Sequence, residues 1–435
     1  MQLRIGKRRP PKIKNQELGI SVPMKKIKTL QCIRCGKDHK LTETKYNCTA
    51  CGGNLQVLYD YNLIKKRLNY DVLKDNPDHS IWRYFDILPV SSIKNVPPVE
   101  VGWTPLYRAE KLGDEAGVSN LWIKDDGRNP SASFKDRASA VVTARAIELE
   151  EKVITTASTG NAASSLACLT GSLDMKTMIF VPETAPAAKV AQLLVYGATV
   201  IMVKGTYDHA FDLCLKASEE YGWYNRSTGI NPFTREGKKT CAFEICEQLK
   251  WETPDKVFVP VGDGNIISGI WKGFVEFHRL GIIERLPQLV AVQAEHSDSI
   301  KRAFETGTDV QPVSGKTVAD SISVSLPRDG MAAVMAIKDS EGFAVSVTDA
   351  EILAAIPRIA RGSNVFAEPA AAATYAGLLK AVKEGKVKES ESVVLLITGN
   401  GLKDIQSAMK SVGKPYLINP ELGELRKLLA DNKLA

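Results

Sequence analysis

Lysine is the side chain whose amine condenses with an aldehyde, and burial keeps that amine unprotonated and nucleophilic. Lys135 has the setting for this chemistry. It follows the turn Asn129-Pro130-Ser131-Ala132-Ser133-Phe134 and opens a small-residue run expected to be helical from Arg137 to Leu149. A lysine at such a turn-to-helix junction can direct its amine into a crevice, whereas a lone first-turn lysine is usually a solvated charge. Its company decides between the two. Further along the chain lie strand–loop–helix units with the build of ligand clamps.

One such unit is Ala157-Ser158-Thr159-Gly160-Asn161, between an expected strand and a small-residue helix. Successive amides at a helix N-terminus, with two hydroxyls beside them, suit a carboxylate. Another is Gly262-Asp263-Gly264-Asn265-Ile266, where glycines let backbone amides close around a phosphate. It matches neither the Walker A loop nor the dinucleotide fingerprint. Asp263 would repel a dianion if it faced one, so it is expected to point away. The last loop is Thr398-Gly399-Asn400-Gly401, at the end of an expected strand.

Sulfur supplies the second chemistry. Cys32, Cys35, Cys48 and Cys51 form two Cys-x-x-Cys pairs with twelve residues between them, a spacing that offers four thiolates to one tetrahedral Zn2+. Gly36, Gly52 and Gly53 follow the pairs and permit the turns that aim amides at sulfur. Disulfides are the competing reading, disfavoured in a cytosolic chain. Four sulfurs leave no open coordination position, so the zinc is structural. A segment of 28 residues, 31–58, cannot fold on its own core, and the metal contributes roughly 10–16 kcal/mol of apparent binding energy. Cys168, Cys214, Cys241 and Cys246 read as ordinary buried thiols.

These groups must be held by a scaffold, and the pattern shows one. Expected strands at Leu121–Lys124, Val153–Thr156, Thr177–Val181, Thr199–Val203, Lys256–Val261, Gln288–Gln293 and Ser392–Ile397 alternate with helical stretches of about ten residues. That predicts an α/β fold: two three-layer domains with parallel sheets and a cleft between them. The expected division is a leader over 1–30, the ribbon over 31–58 and a connecting segment over 59–100. A smaller α/β domain follows at 127–235, and a larger one combines 101–126 with 236–435.

The chain's net charge is +7, yet residues 1–30 hold nine Lys/Arg against Glu17 alone, so that segment carries +8 and the rest 7 − 8 = −1. A basic arm beside a zinc ribbon admits a nucleic-acid adaptor, but the arm has no interleaved aromatics to stack bases and the adaptor reading leaves the three loops unexplained. A solvated leader is the expectation, with no nucleic-acid partner. No apolar run reaches about 18 residues, and the N-terminus lacks the apolar core of a secretory signal. A cytoplasmic protein with no membrane partner is expected, and a homodimer.

Taken together, Asn129-Pro130-Ser131-Ala132-Ser133-Phe134-Lys135-Asp136-Arg137-Ala138 resembles the motif Asn-Pro-Thr-Gly-Ser-Phe-Lys-Asp-Arg-Gly of the fold-type II pyridoxal-phosphate enzymes, and within them of the threonine synthases. The similarity runs from about Trp103 to Leu402 and keeps the Ser-Phe-Lys-Asp-Arg core. Thr-Gly has become Ser131-Ala132. The resemblance implies that Lys135 carries pyridoxal 5'-phosphate as a Schiff base, with Phe134 beside it. It implies that Asn161 binds the cofactor's phenolic oxygen and Thr398 its pyridine nitrogen, and that Gly262, Asp263, Gly264, Asn265 and Ile266 hold its phosphate. Ser158, Thr159 and Gly160 would take the substrate carboxylate. The implied reaction converts O-phospho-L-homoserine and water to L-threonine and phosphate. Lys124 and Arg235 are the cations expected beside the leaving phosphate. A β-replacement enzyme related to cysteate or cysteine synthases and a threonine or serine dehydratase are the alternatives on the same scaffold.

Overall fold

The computed structural model describes residues 25–43 and 46–432. In chain order its strands begin with β1 (Ile27–Cys32), β2 (Asp38–His39), β3 (Leu55–Tyr59), β4 (Leu106–Arg108) and β5 (Asn120–Asp125). Next come β6 (Val153–Ala157), β7 (Lys176–Pro182), β8 (Thr199–Val203) and β9 (Tyr224–Asn225). The last four are β10 (Lys256–Pro260), β11 (Gln288–Ala294), β12 (Phe343–Val347) and β13 (Ser392–Ile397).

These strands make three sheets. A six-stranded sheet has the order β12-β11-β10-β13-β5-β4, parallel except for β4. A four-stranded parallel sheet has the order β8-β7-β6-β9. The third, β2-β1-β3, is antiparallel and carries the cysteine pairs. The expected α/β fold with two parallel sheets is what the chain adopts. Helices cover both faces of the large sheet, so its strands are apolar on both faces. Val257, Val259, Leu289, Ala291, Val394 and Leu396 join one core, while Phe258, Val290, Val292, Val393 and Leu395 join the other.

The first of those cores does not stop at the large sheet. It runs through Val141 and Val142 of helix Lys135–Glu148 to Leu30 and Val57 of the ribbon. Ribbon, smaller sheet unit and larger sheet unit thus share one hydrophobic interior, and each buried Val or Leu contributes roughly 1.5–3 kcal/mol to that union. The expected division after residue 235 falls inside helix Phe233–Lys238, which packs against Lys135–Glu148.

Residues 1–24 of the expected leader lie outside the described residues. The stretch Ile27–Leu30 is not leader: it belongs to β1, paired with β3. Apart from the three ribbon strands and the short antiparallel β4, two strands escape the sequence pattern. One is β9, only two residues long, and the other is β12, an edge strand with Ser346 interrupting its apolar run. Among the described residues, no helix is long and apolar enough to cross a membrane.

Candidate active site

Neighbouring strands place the chemistry. The loops after β10 and β13 and the turn after β5 all emerge from the carboxyl edge of the large sheet, with β13 between the other two. The chain leaves β10 toward β11 on one side and meets β13 on the other, so the crevice opens where an α/β sheet admits ligands. The loop after β6 faces it from the smaller sheet. Lys135, Ser158, Thr159, Gly160, Asn161, Gly262, Asp263, Gly264, Asn265, Ile266 and Thr398 line a single cleft of about 750 Å³.

The lysine turn is stitched to the end of β13. Phe134 donates its amide to the Thr398 carbonyl at 2.8 Å, and Asn400 donates its own to Ala132 at 3.1 Å. Asp136 and Arg137 serve this geometry from below. The Asp136 carboxylate accepts the Ser131 amide at 2.6 Å, while Arg137 reaches Asp126 at 2.6 Å and Glu244 at 2.7 Å. Burial lowers the Lys135 amine below its ordinary value, against the opposing pull of Glu368. The shift is in the direction of the free amine that condensation with an aldehyde requires.

Two helix N-termini converge on this amine. Helix Asn161–Thr170 begins at Gly160 and helix Asn265–Leu280 at Gly264, and neither has a side-chain cap. Their first-turn N–H groups face the cleft without a capping acceptor, which is the build of an anion site. Gly264 sits at φ +90°, and a Cβ there would stand 2.8 Å from the Asp329 carbonyl oxygen. Asp263 turns its carboxylate onto the Arg328 amide at 3.2 Å, and burial pushes its pKa up, which reduces its charge beside an anion. Asn400, the remaining polar residue of the last loop, caps Leu402 at 3.0 Å.

The donors fit a pyridoxal phosphate. Asn161 donates to the Glu368 carboxylate at 3.0 Å and Thr398 approaches the same carboxylate at 3.4 Å. Both therefore present hydrogens to an acceptor in the cleft, as a phenolate oxygen and an unprotonated pyridine nitrogen need.

Three expected site residues are not brought to the cleft. Lys124 is fully buried and donates to Glu244 at 2.7 Å, Gln248 at 2.8 Å and the Thr104 carbonyl at 2.6 Å. Arg235 is held by Asp329 at 2.6 Å and Ser268 at 3.1 Å. Neither is free to meet a substrate phosphate, because each is neutralised by an internal carboxylate. Phe134 is fully buried beneath the turn, with Arg137 over its ring.

Other residues take their places. Lys238, fully buried, lines the cleft and donates to Asn265 Oδ1 at 2.6 Å. Burial holds its amine well below the ordinary value, helped by Lys135 and Arg226. Arg226 is also fully buried, and among the described residues its Nη2 has no hydrogen-bond partner. Glu368 is the acid of the site; burial pushes its carboxyl up. The sequence carries no distinctive sign of Glu368, since an acid directly before Pro369 at a helix N-terminus is an ordinary cap position.

The cysteines meet as expected. The four sulfurs lie within 4.8 Å of one another. Cys32 and Cys51 sulfurs are 3.5 Å apart and those of Cys35 and Cys48 are 3.7 Å apart. A disulfide would need about 2.05 Å, whereas a tetrahedral ion with sulfur at about 2.3 Å sets sulfurs about 3.8 Å apart. Amides of Cys35 and Ala50 point at the Cys32 and Cys48 sulfurs, and His39 Nε2 lies 3.2 Å from Cys48. The donor set fits a metal ion closed to solvent ligands.

Comparison with known proteins agrees with this geometry. Residues 99–399 match the family described as pyridoxal-phosphate dependent enzyme. The chain belongs to that family. The threonine synthase of Methanocaldococcus jannaschii is 40% identical over 404 residues, covering 92% of this chain and 99% of the relative. That of Methanosarcina acetivorans is 37% identical, covering 92% and 98%. Among pyridoxal-phosphate enzymes, then, the chain falls with the threonine synthases. Among solved structures, the processed threonine deaminase isoform 2 of Solanum lycopersicum superposes with a TM-score of 0.59 at 25% identity, covering 76% of this chain and 84% of that one. Maize serine racemase superposes with a TM-score of 0.59 at 22% identity, over 76% and 92%, a likeness of fold.

Proposed function

We propose that this protein is a pyridoxal-phosphate-dependent lyase that makes L-threonine and phosphate from O-phospho-L-homoserine and water. The observation that carries the reading is the convergence of an amine of depressed pKa and two uncapped helix N-termini on one cleft, in a chain so similar to threonine synthases. The cofactor, when bound, supplies the electron sink that acidifies the substrate's α- and β-carbons.

The chain's own residues do the rest. Ser158, Thr159 and Gly160 receive the substrate carboxylate at the start of helix Asn161–Thr170. Gly262 to Ile266 hold the cofactor phosphate, and Asn161 and Thr398 orient its ring. Lys135 Nζ takes the α-proton and returns protons as phosphate leaves the γ-carbon and water adds at the β-carbon. Lys238 takes the part first assigned to Lys124 and Arg235 by hydrogen-bonding the departing phosphate, whose negative charge offsets the burial and the neighbouring Lys135 and Arg226 that lower the pKa of its amine. Glu368, whose carboxyl burial pushes up, neighbours Lys135 as a proton partner.

The ion of the four-cysteine cluster is assigned as zinc, on its all-sulfur donor set. The expected homodimer is proposed on the exposed apolar side chains Leu402, Ile405, Met409 and Leu417, with light scattering of the purified chain as its test. Cytoplasmic location and the absence of a nucleic-acid partner stay with the proposal.

Purified protein loaded with cofactor should release phosphate from O-phospho-L-homoserine with matching threonine, and Lys238→Gln should slow this about a hundredfold, or about 2.7 kcal/mol. Phosphate release from O-phospho-L-serine alone would favour the β-replacement reading. Ammonia release from threonine or serine alone would favour a dehydratase.

A further inference from the structure

The metal ribbon meets the body through the shared apolar core, through the Tyr46 hydroxyl, which accepts the Asn225 amide at 2.7 Å, and through two further polar contacts. Its deep contact is a buried ionic cluster: the Tyr59 hydroxyl donates to Glu236 at 2.6 Å, and Lys272 joins the Val57 carbonyl to Glu236. The other of these two is a single side chain that reaches the rim of the cleft loop. Asn54 Nδ2 donates to the Arg328 carbonyl at 2.8 Å and to Asp329 Oδ1 at 3.0 Å.

Both ends of this contact are occupied by functional parts. On the ribbon side, Asn54 follows Gly53 and is bonded into both cysteine turns. Its carbonyl accepts the Ile33 amide at 2.9 Å from the first pair, and it bridges Asn47 beside the second. On the body side, Arg328 and Asp329 press against the Gly262–Ile266 loop. Asp329 accepts Asn265 Nδ2 at 2.7 Å and the Ser268 hydroxyl at 3.1 Å, and its amide donates to the Asp263 carbonyl at 2.9 Å. Burial alone would push the Asp329 carboxyl up, yet Arg235, Asn54 and Asn265 hold it below its ordinary value. Asn54 is therefore one of a small set of donors that keep an ionised carboxylate in place under the first turn of helix Asn265–Leu280.

We propose that Asn54 is a positioning residue for the cofactor's phosphate: through Asp329 it passes the order of the filled four-cysteine site to the Gly262–Ile266 loop, so that metal in the ribbon tightens binding of a phosphorylated pyridoxal. The proposal rests on the reading of that loop as the phosphate holder. A carboxylate that loses a donor rotates or takes up a proton, and Asn265, which it orients, moves with it. The metal acts here without touching the reacting atoms.

The test is an equilibrium titration of full-length protein, metal-loaded or treated with chelator, with pyridoxal phosphate and separately with pyridoxal, which lacks the phosphate. Zinc content is measured on every sample. Asn54→Ala with its metal retained should weaken pyridoxal phosphate roughly tenfold, the loss of a charge-assisted hydrogen bond. Asn54→Asp, the same size with the wrong charge, should weaken it more. Pyridoxal affinity should stay the same. Chelation should reproduce the loss in the unaltered chain and add little to Asn54→Ala, since both break one path. Unchanged pyridoxal phosphate affinity in both metal-retaining variants would overturn the coupling, as would an equal chelation loss with and without Asn54. If the unaltered chain bound pyridoxal phosphate no more tightly than pyridoxal, the phosphate-loop reading would fall instead.

Discussion

The two helix starts that face Lys135 are chemically alike and mechanically different. Gly160 and Gly264 each begin a helix without a side-chain cap. Around Gly160 there is space, since a Cβ there would meet nothing within 4 Å, and Ser158, Thr159 and Gly160 are all partly exposed. Around Gly264 there is none: Ala333 and the Asp329 backbone would each stand 2.8 Å from a Cβ, and Asp329 is locked to Arg235. The same anion-binding device is thus built once to stay fixed and once to admit a visitor. A cofactor phosphate that remains through many turnovers suits the first, and a substrate carboxylate that comes and goes suits the second.

The largest test removes the point on which both helices converge. Lys135→Ala should abolish the visible absorption of the cofactor-loaded protein and cut turnover by at least about a thousandfold. Full turnover in that variant would end the assignment of both helix starts.

Next comes the buried charge beneath the lysine turn on which both sides converge. Burial opposes the charge of Glu244, but Arg137 and Lys124 pull its pKa to about 2 from an ordinary 4.5. Such a depressed carboxyl contributes stability that is complete above pH 4.5 and is lost as pH falls toward 2. Glu244→Gln should cost about 3–5 kcal/mol at neutral pH, by leaving two buried cations short of a partner, and should flatten the acid limb of a denaturation profile. An unchanged acid limb would place the anchoring elsewhere.

The direct comparison is Gly264→Ala against Gly160→Ala. The first forces a side chain into a left-handed conformation and into contact, at about 2–4 kcal/mol, and should weaken the cofactor at least about thirtyfold. The second should leave cofactor affinity within about twofold and show itself only in KM. Equal effects would erase the distinction between the two sides. The smallest effect is at Ala132, which holds φ +61° in the turn before the lysine. Ala132→Gly should raise stability by about 0.5–1 kcal/mol in a urea titration.

Much of this architecture is legible in the chain itself. The parallel strands announce themselves because both their faces are buried, which makes runs such as Val257-Phe258-Val259 apolar without interruption. The loops are legible because glycine and small polar residues at a strand end have few other uses. The cysteine cluster is fixed by spacing alone. The cations are not legible in the same way. A lysine or arginine letter carries no sign of which carboxylate will claim it, and the partners of Lys124 and Arg235 lie 120 and 94 residues away. Lys238 sits beside Lys239 in one buried stretch, yet the two have opposite duties: Lys239 pairs with Glu236 and Glu276, while Lys238 faces the cleft. One helical step separates those fates, and only the packing of Phe233–Lys238 against its neighbours reveals which is which.

The cluster beneath the ribbon bears on ancestry. Glu236, Lys239, Lys272 and Glu276 are all nearly or wholly buried, with Tyr59 of the ribbon set among them. Strip the ribbon away and Lys272 loses the Val57 carbonyl while Glu236 loses the Tyr59 hydroxyl, leaving charges shaped for an absent cover. A lineage could not shed this ribbon by simple deletion, nor gain it by attachment to a finished surface. Ribbonless cousins are expected to carry other residues at these four places, changed in step with one another.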